Sequence, residues 1–399
     1  MVSLFRRLFL IAVSSLLVSC LSTGKNLPIE TIDNSVIQDV NIAPIETALS
    51  FARIMVDNRF HLIAVEEFSS NRISGINLTL ASNNQFEDPI NAYIELGYDG
   101  LIQLINRSRS EFSISTQADQ LVTPVGLLKN HIAVGTNYPA HAGETGVKDG
   151  PFLFPKIVTP TGPFETVSTH NGLLDYEVEL AAVIIKPVKD GKLPNEFGLI
   201  LSNDFTNRAA LLRNIDIKNI TSGKGFPQGK SARGFLPVGN LFVIPKNPKQ
   251  FAKSIELKLY VNDNLRQKSN TNSMLWDFEK TVSEIWKKKE YNWDYNNTTV
   301  SLLNEKNEIP SRTLILSGTP HGVIFQGIPA GIKIKGVLSW LAGGWDKTLP
   351  QNVIEAYIKK SFKSKAYLQP NDTVTIHTHN LGVMENQVID NSKGKIKVP

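Results

Sequence analysis

Cysteine is all but missing: Cys20 is the single thiol among 399 residues. A scaffold built on intrachain disulfides is therefore excluded. Charge of one sign is not concentrated either. The formal net charge is +5, yet the lysines and arginines are spread along the chain and form no stripe. No nucleic-acid partner is expected, because phosphate binding needs clustered cations. No Gly-x-Ser-x-Gly elbow, Walker loop or dinucleotide fingerprint occurs, which removes the sequence basis for nucleophilic-serine, nucleotide or NAD chemistry. What is present is ordinary for a globular chain: 41% hydrophobic and 20% charged residues, 27 Gly and 21 Pro, with no Gly-X-Y period. Disordered and collagen-like classes fall away, and the length allows two or three domains' worth of chain.

The first 19 residues read as an export signal. Arg6 and Arg7 precede an apolar stretch over residues 8–18, too short to span a bilayer comfortably. Leu17-Val-Ser-Cys20 then resembles the lipobox of bacterial lipoproteins, in which the signal is cut before the cysteine and the cysteine carries the lipid. An ordinary secretory signal, or a core strand that contains Cys20, is the alternative. The lipobox reading predicts lipidation at Cys20 and a chain tethered to the bacterial cell envelope, facing the periplasm, with the membrane as a partner through its N-terminal anchor. Several acyl chains make such an anchor stable where one is marginal. Residues 20–47, polar and weakly periodic, are the expected tether.

Two units follow. Residues 48–125 form a small N-terminal domain, in which apolar segments around Phe51 and His61 read as paired strands and residues 92–105 as a helix. Residues 126–399 form the larger, strand-rich unit. Segments 131–134, 176–185, 197–201, 241–244, 255–261 and 313–316 are apolar runs bounded by turn residues, and 373–379 with 382–388 reads as a terminal hairpin. Helical spacing appears over 275–286. Many strands with few helices between them predict a β-rich α+β fold, a barrel or sandwich and not a doubly wound sheet.

Glu177 and Glu179 stand two apart in Asp175-Tyr-Glu-Val-Glu-Leu180, so a strand points both to one face. Apolar residues follow, and near a core one carboxylate must protonate or both must meet a cation. Mg²⁺, Mn²⁺ or Ca²⁺ favours oxygen ligands of this kind, although a solvated strand face is the ordinary use of Glu-x-Glu. Asp204 ends another apolar strand, where Asn203-Asp204 is equally a plain turn. His141 and Glu144 are three apart, so one helical turn sets them side by side. A carboxylate that orients a histidine makes it a general base; on a solvated face the same pair is decoration.

Asn137-Tyr-Pro-Ala-His-Ala-Gly-Glu144, Asp175-Tyr-Glu-Val-Glu-Leu180, Ser202-Asn-Asp-Phe-Thr-Asn-Arg208, Lys230 with Pro237-Val-Gly239, and Ser317-Gly-Thr-Pro-His-Gly-Val323 occur in this order. Together they resemble the fumarylacetoacetate hydrolase family over most of residues 125–390, and the preceding small unit resembles that family's N-terminal domain. The resemblance implies a mixed β-sandwich roll, commonly in a homodimer, around a Mg²⁺ or Mn²⁺ site with Glu177, Glu179 and Asp204 as ligands. It implies as substrate a small 2-oxo or 1,3-dicarbonyl acid whose enolate the ion stabilises. By the same resemblance His141, oriented by Glu144, activates water, Lys230 stabilises negative charge, and Thr319 hydrogen-bonds the substrate carboxylate. The expected activity is hydrolytic C–C cleavage of a 2,4-dioxo acid. Hydratase, decarboxylase and tautomerase activities are alternatives on the same site, as is a non-catalytic carboxylate-binding lipoprotein.

Several positions depart from the family pattern. Arg233 stands where an Asp often follows the lysine, and is expected close to the site as a substrate contact. Ala209 replaces an Asp after Arg208, and Pro310-Ser-Arg312 replaces Pro-Gly-Asp. Metal binding is expected to persist while substrate choice drifts. Two segments are longer than the family's. Residues 287–308, basic and then Asn-rich, are expected to be an exposed loop. Residues 331–365 leave from the Gly-Thr-Pro motif and show helical spacing over 353–362; they are a candidate lid or pocket wall, with a dimer contact or core packing as alternatives. His377 and His379 share a strand face without an evident third ligand, and read as a surface pair.

Overall fold

The computed structural model describes residues 40–390 other than 70 and 148. The export signal, Cys20 and residues 20–39 of the tether lie outside the described residues. The rest forms the expected β-rich α+β fold, built on two mixed sheets. The larger has eleven strands, in the order Ser113–Gln117, Arg72–Asn77, Arg59–Ser69, Ala48–Val56, Phe242–Pro245, Phe197–Asn203, Val178–Ile184, Leu314–Leu316, Asn130–Gly135 and Phe152–Ile157, with Leu121–Val122 paired on Ala48–Val56. The smaller has five: Asn264–Asn270, Glu256–Val261, Thr373–Thr378, Gly382–Ile389 and Val167–Ser168.

The strand Val178–Ile184 lies near the middle of the larger sheet and is buried on both faces, so its sequence is an almost unbroken apolar run. Its period of two still sorts the side chains. Val178, Leu180, Ala182 and Ile184 pack with Leu257, Leu259, Ile376 and Val383 of the smaller sheet. Ala181 and Val183 join the opposite core, with Ile90, Leu101 and Leu104 of the helix Pro89–Ser108. That helix starts where the Asp88 carboxylate accepts from the backbone N–H groups of Ile90 and Asn91 and Pro89 presets the first turn. Gly97, at φ 68°, kinks it.

Residues 48–125 do not close a sheet of their own. Ala48–Val56 pairs with Phe242–Pro245 of the larger unit, with Leu49 opposite Ile244 and Phe51 opposite Phe242. Arg312, at the position where the family pattern has Asp, adds a polar clamp. Its Nη1 donates to Asp88 Oδ2 at 3.0 Å and to Gly126 O at 2.9 Å, and its Nη2 donates to Asn91 Oδ1 at 2.8 Å.

Two expectations need correction. The tether does not reach residue 47: Val40 and Ala43 are buried in the main core, and the Asn380 N–H donates to Asn41 O at 2.9 Å. Apolar side chains in a polar stretch are enough to dock its end. Residues 287–308 are not a plain exposed loop. Asn292–Tyr295 and Thr298–Ser301 pair across Asn296-Asn297, whose φ values of 48° and 61° suit the tight hairpin turn that asparagine tolerates. This hairpin buries Trp293, whose indole N–H donates to Ser222 O at 2.9 Å. The long segment 331–365 is an antiparallel helix pair, Ala330–Leu341 and Leu349–Ser364. Thr348 and Gln351 cap the second helix reciprocally. The helices touch at Gly336, where a Cβ would stand 2.5 Å from Val353 Cα.

Arg312→Ala should lower the free energy of unfolding in urea by about 2 kcal/mol, because it strips the mostly buried Asp88 of its closest cation. A loss below about 0.5 kcal/mol would mean that solvent already screens the pair.

Candidate active site

Pairing of two neighbouring strands brings three carboxylates together. Val178 lies opposite Asn203 and Glu179 opposite Ser202, and the Asp204 N–H continues the ladder by donating to Glu177 O at 2.9 Å. Glu177 and Glu179 share the face of Ala181 and Val183, and Asp204 shares that of Ile200, so all three point to the same side of the sheet. One oxygen from each lies within 4.8 Å of the others, and all three residues are buried. An all-oxygen donor set of this size fits a hard divalent cation.

Three cations surround the triad. Lys230 Nζ donates to Glu177 Oε2 at 2.8 Å and to Asp204 Oδ2 at 2.7 Å. Arg208 donates from Nη2 to Glu177 Oε1 at 2.6 Å and from Nε to Asp175 Oδ2 at 2.7 Å. Lys156 Nζ donates to Asp204 Oδ1, and to the carbonyls of Lys230 at 2.6 Å and Phe235 at 2.7 Å. Burial works against every one of these charges. For Lys230 and Arg208 the flanking carboxylates outweigh burial and hold the cation. For Lys156 burial prevails and its pKa falls. Glu177 is buried too, but Lys230 and Arg208 pull it down to about 2.

Glu179 is the exception. Its Oε2 accepts from the Gly318 N–H at 2.8 Å, and among the described residues no lysine or arginine forms an ion pair with it. Burial, followed by repulsion from Asp204, raises its pKa well above the model-compound value of 4.5. The triad therefore holds one carboxylate whose negative charge lacks a direct partner, the charge that a divalent cation would neutralise.

The His141–Glu144 pair stands at the same site. The helix Pro139–Thr145 sets His141 Nδ1 3.1 Å from Glu144 Oε2. Glu144 also accepts from the Gly322 N–H at 3.1 Å, which ties it to the Gly-Thr-Pro-His-Gly turn. A carboxylate only accepts, so Nδ1 carries the proton and Nε2 is left as the basic nitrogen. His141, Glu177, Arg208, Lys230 and Thr319 line one cavity of about 400 Å³.

Two expected contacts are placed differently. Arg233 is exposed and does not line this cavity. Its backbone carbonyl pairs with His170 Nε2 at 2.8 Å, and the chain turns its side chain outward. Thr319 lines the cavity, but its hydroxyl donates to Val178 O at 3.0 Å and accepts from Gln267 Nε2 at 2.9 Å. Its proton must leave Val178 before it can meet a carboxylate. Lys156 went unnoticed in the sequence, although a lysine inside the wholly buried strand Phe152–Ile157 is itself a signal. Arg208 and Asp175 were visible only as motif letters. Asp175 also accepts from the N–H groups of Ile324 and Phe325, at 2.9 and 3.1 Å, anchoring the chain that enters the helix pair.

Opposite pH dependences follow. The lowered Glu177 contributes stability that is complete above its unfolded value of 4.5 and lost as pH falls through about 2. The raised Glu179 contributes stability that is complete below its unfolded value and lost as pH rises through the folded one. A divalent cation must displace that proton. Added Mg²⁺ or Mn²⁺ should therefore raise the melting temperature, and by more at about pH 8 than at about pH 6. A gain that stays constant with pH would show that Glu179 is already ionised.

Comparison with known proteins agrees with this arrangement. The family model "Fumarylacetoacetate (FAA) hydrolase C-terminal" matches residues 130–389. The mitochondrial oxaloacetate decarboxylase of Dictyostelium discoideum is 30% identical over 205 residues, 48% of this chain and 81% of that protein. An oxaloacetate tautomerase of Bacillus subtilis is 32% identical over 207 residues, 49% of this chain and 60% of that protein. A fumarylacetoacetate hydrolase from Exiguobacterium antarcticum has the same fold, with a TM-score of 0.53 at 20% identity over 86% of this chain and all of its own. Maleylpyruvate hydrolase from a Sphingobium species gives a TM-score of 0.51 at 19% identity, over 85% of this chain and all of its own. With the motifs in order, Glu179 and Asp204 gathered beside Glu177, and Glu177, Lys230 and His141 on one cavity, the chain belongs to the fumarylacetoacetate hydrolase family, an enzyme family whose relatives above include a decarboxylase and a tautomerase.

Proposed function

We propose that this protein is a divalent-metal-dependent hydrolase that cleaves a C–C bond in a 2,4-dioxo acid of the acylpyruvate type. The observation that carries the reading is the His141–Glu144 pair, held on the same cavity as Glu177 and Lys230. Decarboxylation or tautomerisation of a 2-oxo acid needs enolate stabilisation but no activated water. Hydrolysis needs a base for water, and the oriented histidine, with Nε2 left free by the Glu144 contact, is placed to supply one.

In this reading Glu177, Glu179 and Asp204 would hold a Mg²⁺ or Mn²⁺ ion, which would supply Lewis-acid stabilisation of developing negative charge. His141 Nε2 takes a proton from water, and Glu144 stabilises the imidazolium through Nδ1. The hydroxide adds to the carbonyl distal to the carboxylate. The bond from that carbon to the methylene then breaks, its electron pair passes into the enolate, and protonation at carbon completes a 2-oxo acid beside the released carboxylic acid. Lys230, buried and kept cationic by Asp204 and Glu177, lowers the energy of the negative charge that develops next to it.

A second reading is favoured by one observation: the two relatives above are named for oxaloacetate decarboxylation and tautomerisation. Loss of enol absorbance across acylpyruvates and oxaloacetate, with product analysis, separates the readings. His141→Ala should lower kcat for acylpyruvate hydrolysis by at least about 100-fold while the metal-dependent melting shift persists, and Glu177→Gln should lose both. Unchanged hydrolysis in His141→Ala would overturn the water-activating role. Metal-dependent ligand binding without turnover would make the protein a carboxylate-capture lipoprotein. The proposal extends to a lipid anchor at Cys20 on the bacterial envelope and to a homodimer, supported respectively by the lipobox-like Leu17-Val-Ser-Cys20 and by family habit.

A further inference from the structure

The cavity is larger and greasier than its charged floor requires. Beside Glu177, Arg208, Lys230 and His141, its lining includes Leu212, Ile215, Phe325, Ile328, Val353 and Ile354. The last four come from the chain after the Gly-Thr-Pro turn and from the inserted helix pair. The volume of about 400 Å³ lies in the range of pockets that enclose a ligand well beyond a four-carbon acid.

The insert is joined to the site by a small core of its own. Leu173, Ala209, Leu212, Ile332, Ile354 and Tyr357 pack together, and the hydroxyls of Tyr357 and Tyr367 share a hydrogen bond of 2.6 Å. Arg213 donates from Nε and Nη2 to the two carboxylate oxygens of Glu355, at 2.7 and 2.9 Å. Ala209 explains one departure from the family pattern. It is buried in this cluster, so an aspartate there would place a carboxylate in an apolar contact. The alanine packs against the helix pair, and that pair lines the cavity.

We propose that this cavity selects substrates by an apolar tail: the distal acyl group is an extended hydrocarbon chain, seated against the apolar lining that Leu212, Ile215 and the helix Leu349–Ser364 contribute. The inference rests on the reading that a 2-oxo acid head occupies the floor. The charged side chain that the segment from Phe325 to Ile354 contributes to the lining is Lys333, so an acid with a second, distal carboxylate is the competing ligand.

N-alkyl oxamates carry the 2-oxo acid head without a cleavable C–C bond, and their titration into the full-length protein with Mg²⁺ separates the alternatives. Kd should fall about fourfold per added methylene from methyl to hexyl, and an ω-carboxylate of equal length should bind worse than the methyl-ended chain. Val353→Ser should flatten the dependence on length, with a single cooperative melting transition to show that the variant folds. A flat series in the native protein, or a preference for the ω-carboxylate, overturns the tail site alone. Failure of every member, methyl oxamate included, overturns the head-group reading and the tail site with it.

Discussion

Everything at the site depends on enclosing opposite charges where water is scarce. Asp175, Glu177, Glu179, Asp204, Lys156, Arg208 and Lys230 are all buried. Each alone would be expensive to desolvate, and all but Glu179 are tolerable because oppositely charged neighbours complete them. The surroundings are fixed accordingly. Asn203 Oδ1 accepts from the Glu177 N–H at 2.9 Å, and Gln267 Oε1 accepts from the Val178 N–H at 3.0 Å. Ser317 Oγ accepts from the Leu180 N–H at 3.1 Å. The strand that carries two of the carboxylates is thereby pinned from neighbouring elements as well as by its own ladder, which preorganises the triad.

The same cluster organises its approaches. Asp175 holds the backbone leading into the helix pair, Glu144 holds Gly322, and the Tyr176 hydroxyl donates to Gly322 O at 3.1 Å. The turn after Leu314–Leu316 is fastened from two sides. Gly318, at φ 79°, has no room for a side chain, since a Cβ would meet Val134 O at 2.8 Å. Its N–H is thus free to approach Glu179, and a larger residue would push the donor away.

The fold class and the shared face of Glu177 and Glu179 were legible because both follow from short-range periodicity, whereas Asp204 joined them only through the resemblance of the ordered motifs to a known family. Glu177 and Glu179 declare a shared face by their spacing, and the apolar run after them declares a buried strand. What was not legible depends on contacts distant in sequence. Lys156 reads as a misplaced charge until Asp204, Lys230 and Phe235 are folded around its ammonium. Arg233 follows the catalytic-lysine motif closely enough to suggest a site contact, but three residues along the chain turn its side chain to solvent. The hairpin around Trp293 looked like a loop because its strands are short and its apolar content is nearly a single side chain. The second helix of the pair was visible as helical spacing, whereas the first helix and the union with Ala209 were not.

The shared sheet has a consequence for how this chain could be shortened. Ala48–Val56 covers the edge of Phe242–Pro245, whose four residues are all buried. Removing residues 48–125 would strip that cover and leave unpaired N–H and C=O groups beside apolar faces, a template on which another chain can add a strand. The N-terminal unit therefore acts as a seal against aggregation, whatever else it does. A protein secured at its N-terminus would pass any pull on its tether into the same strand, where the load is shared along hydrogen-bonded rungs and carried to the centre of the sheet.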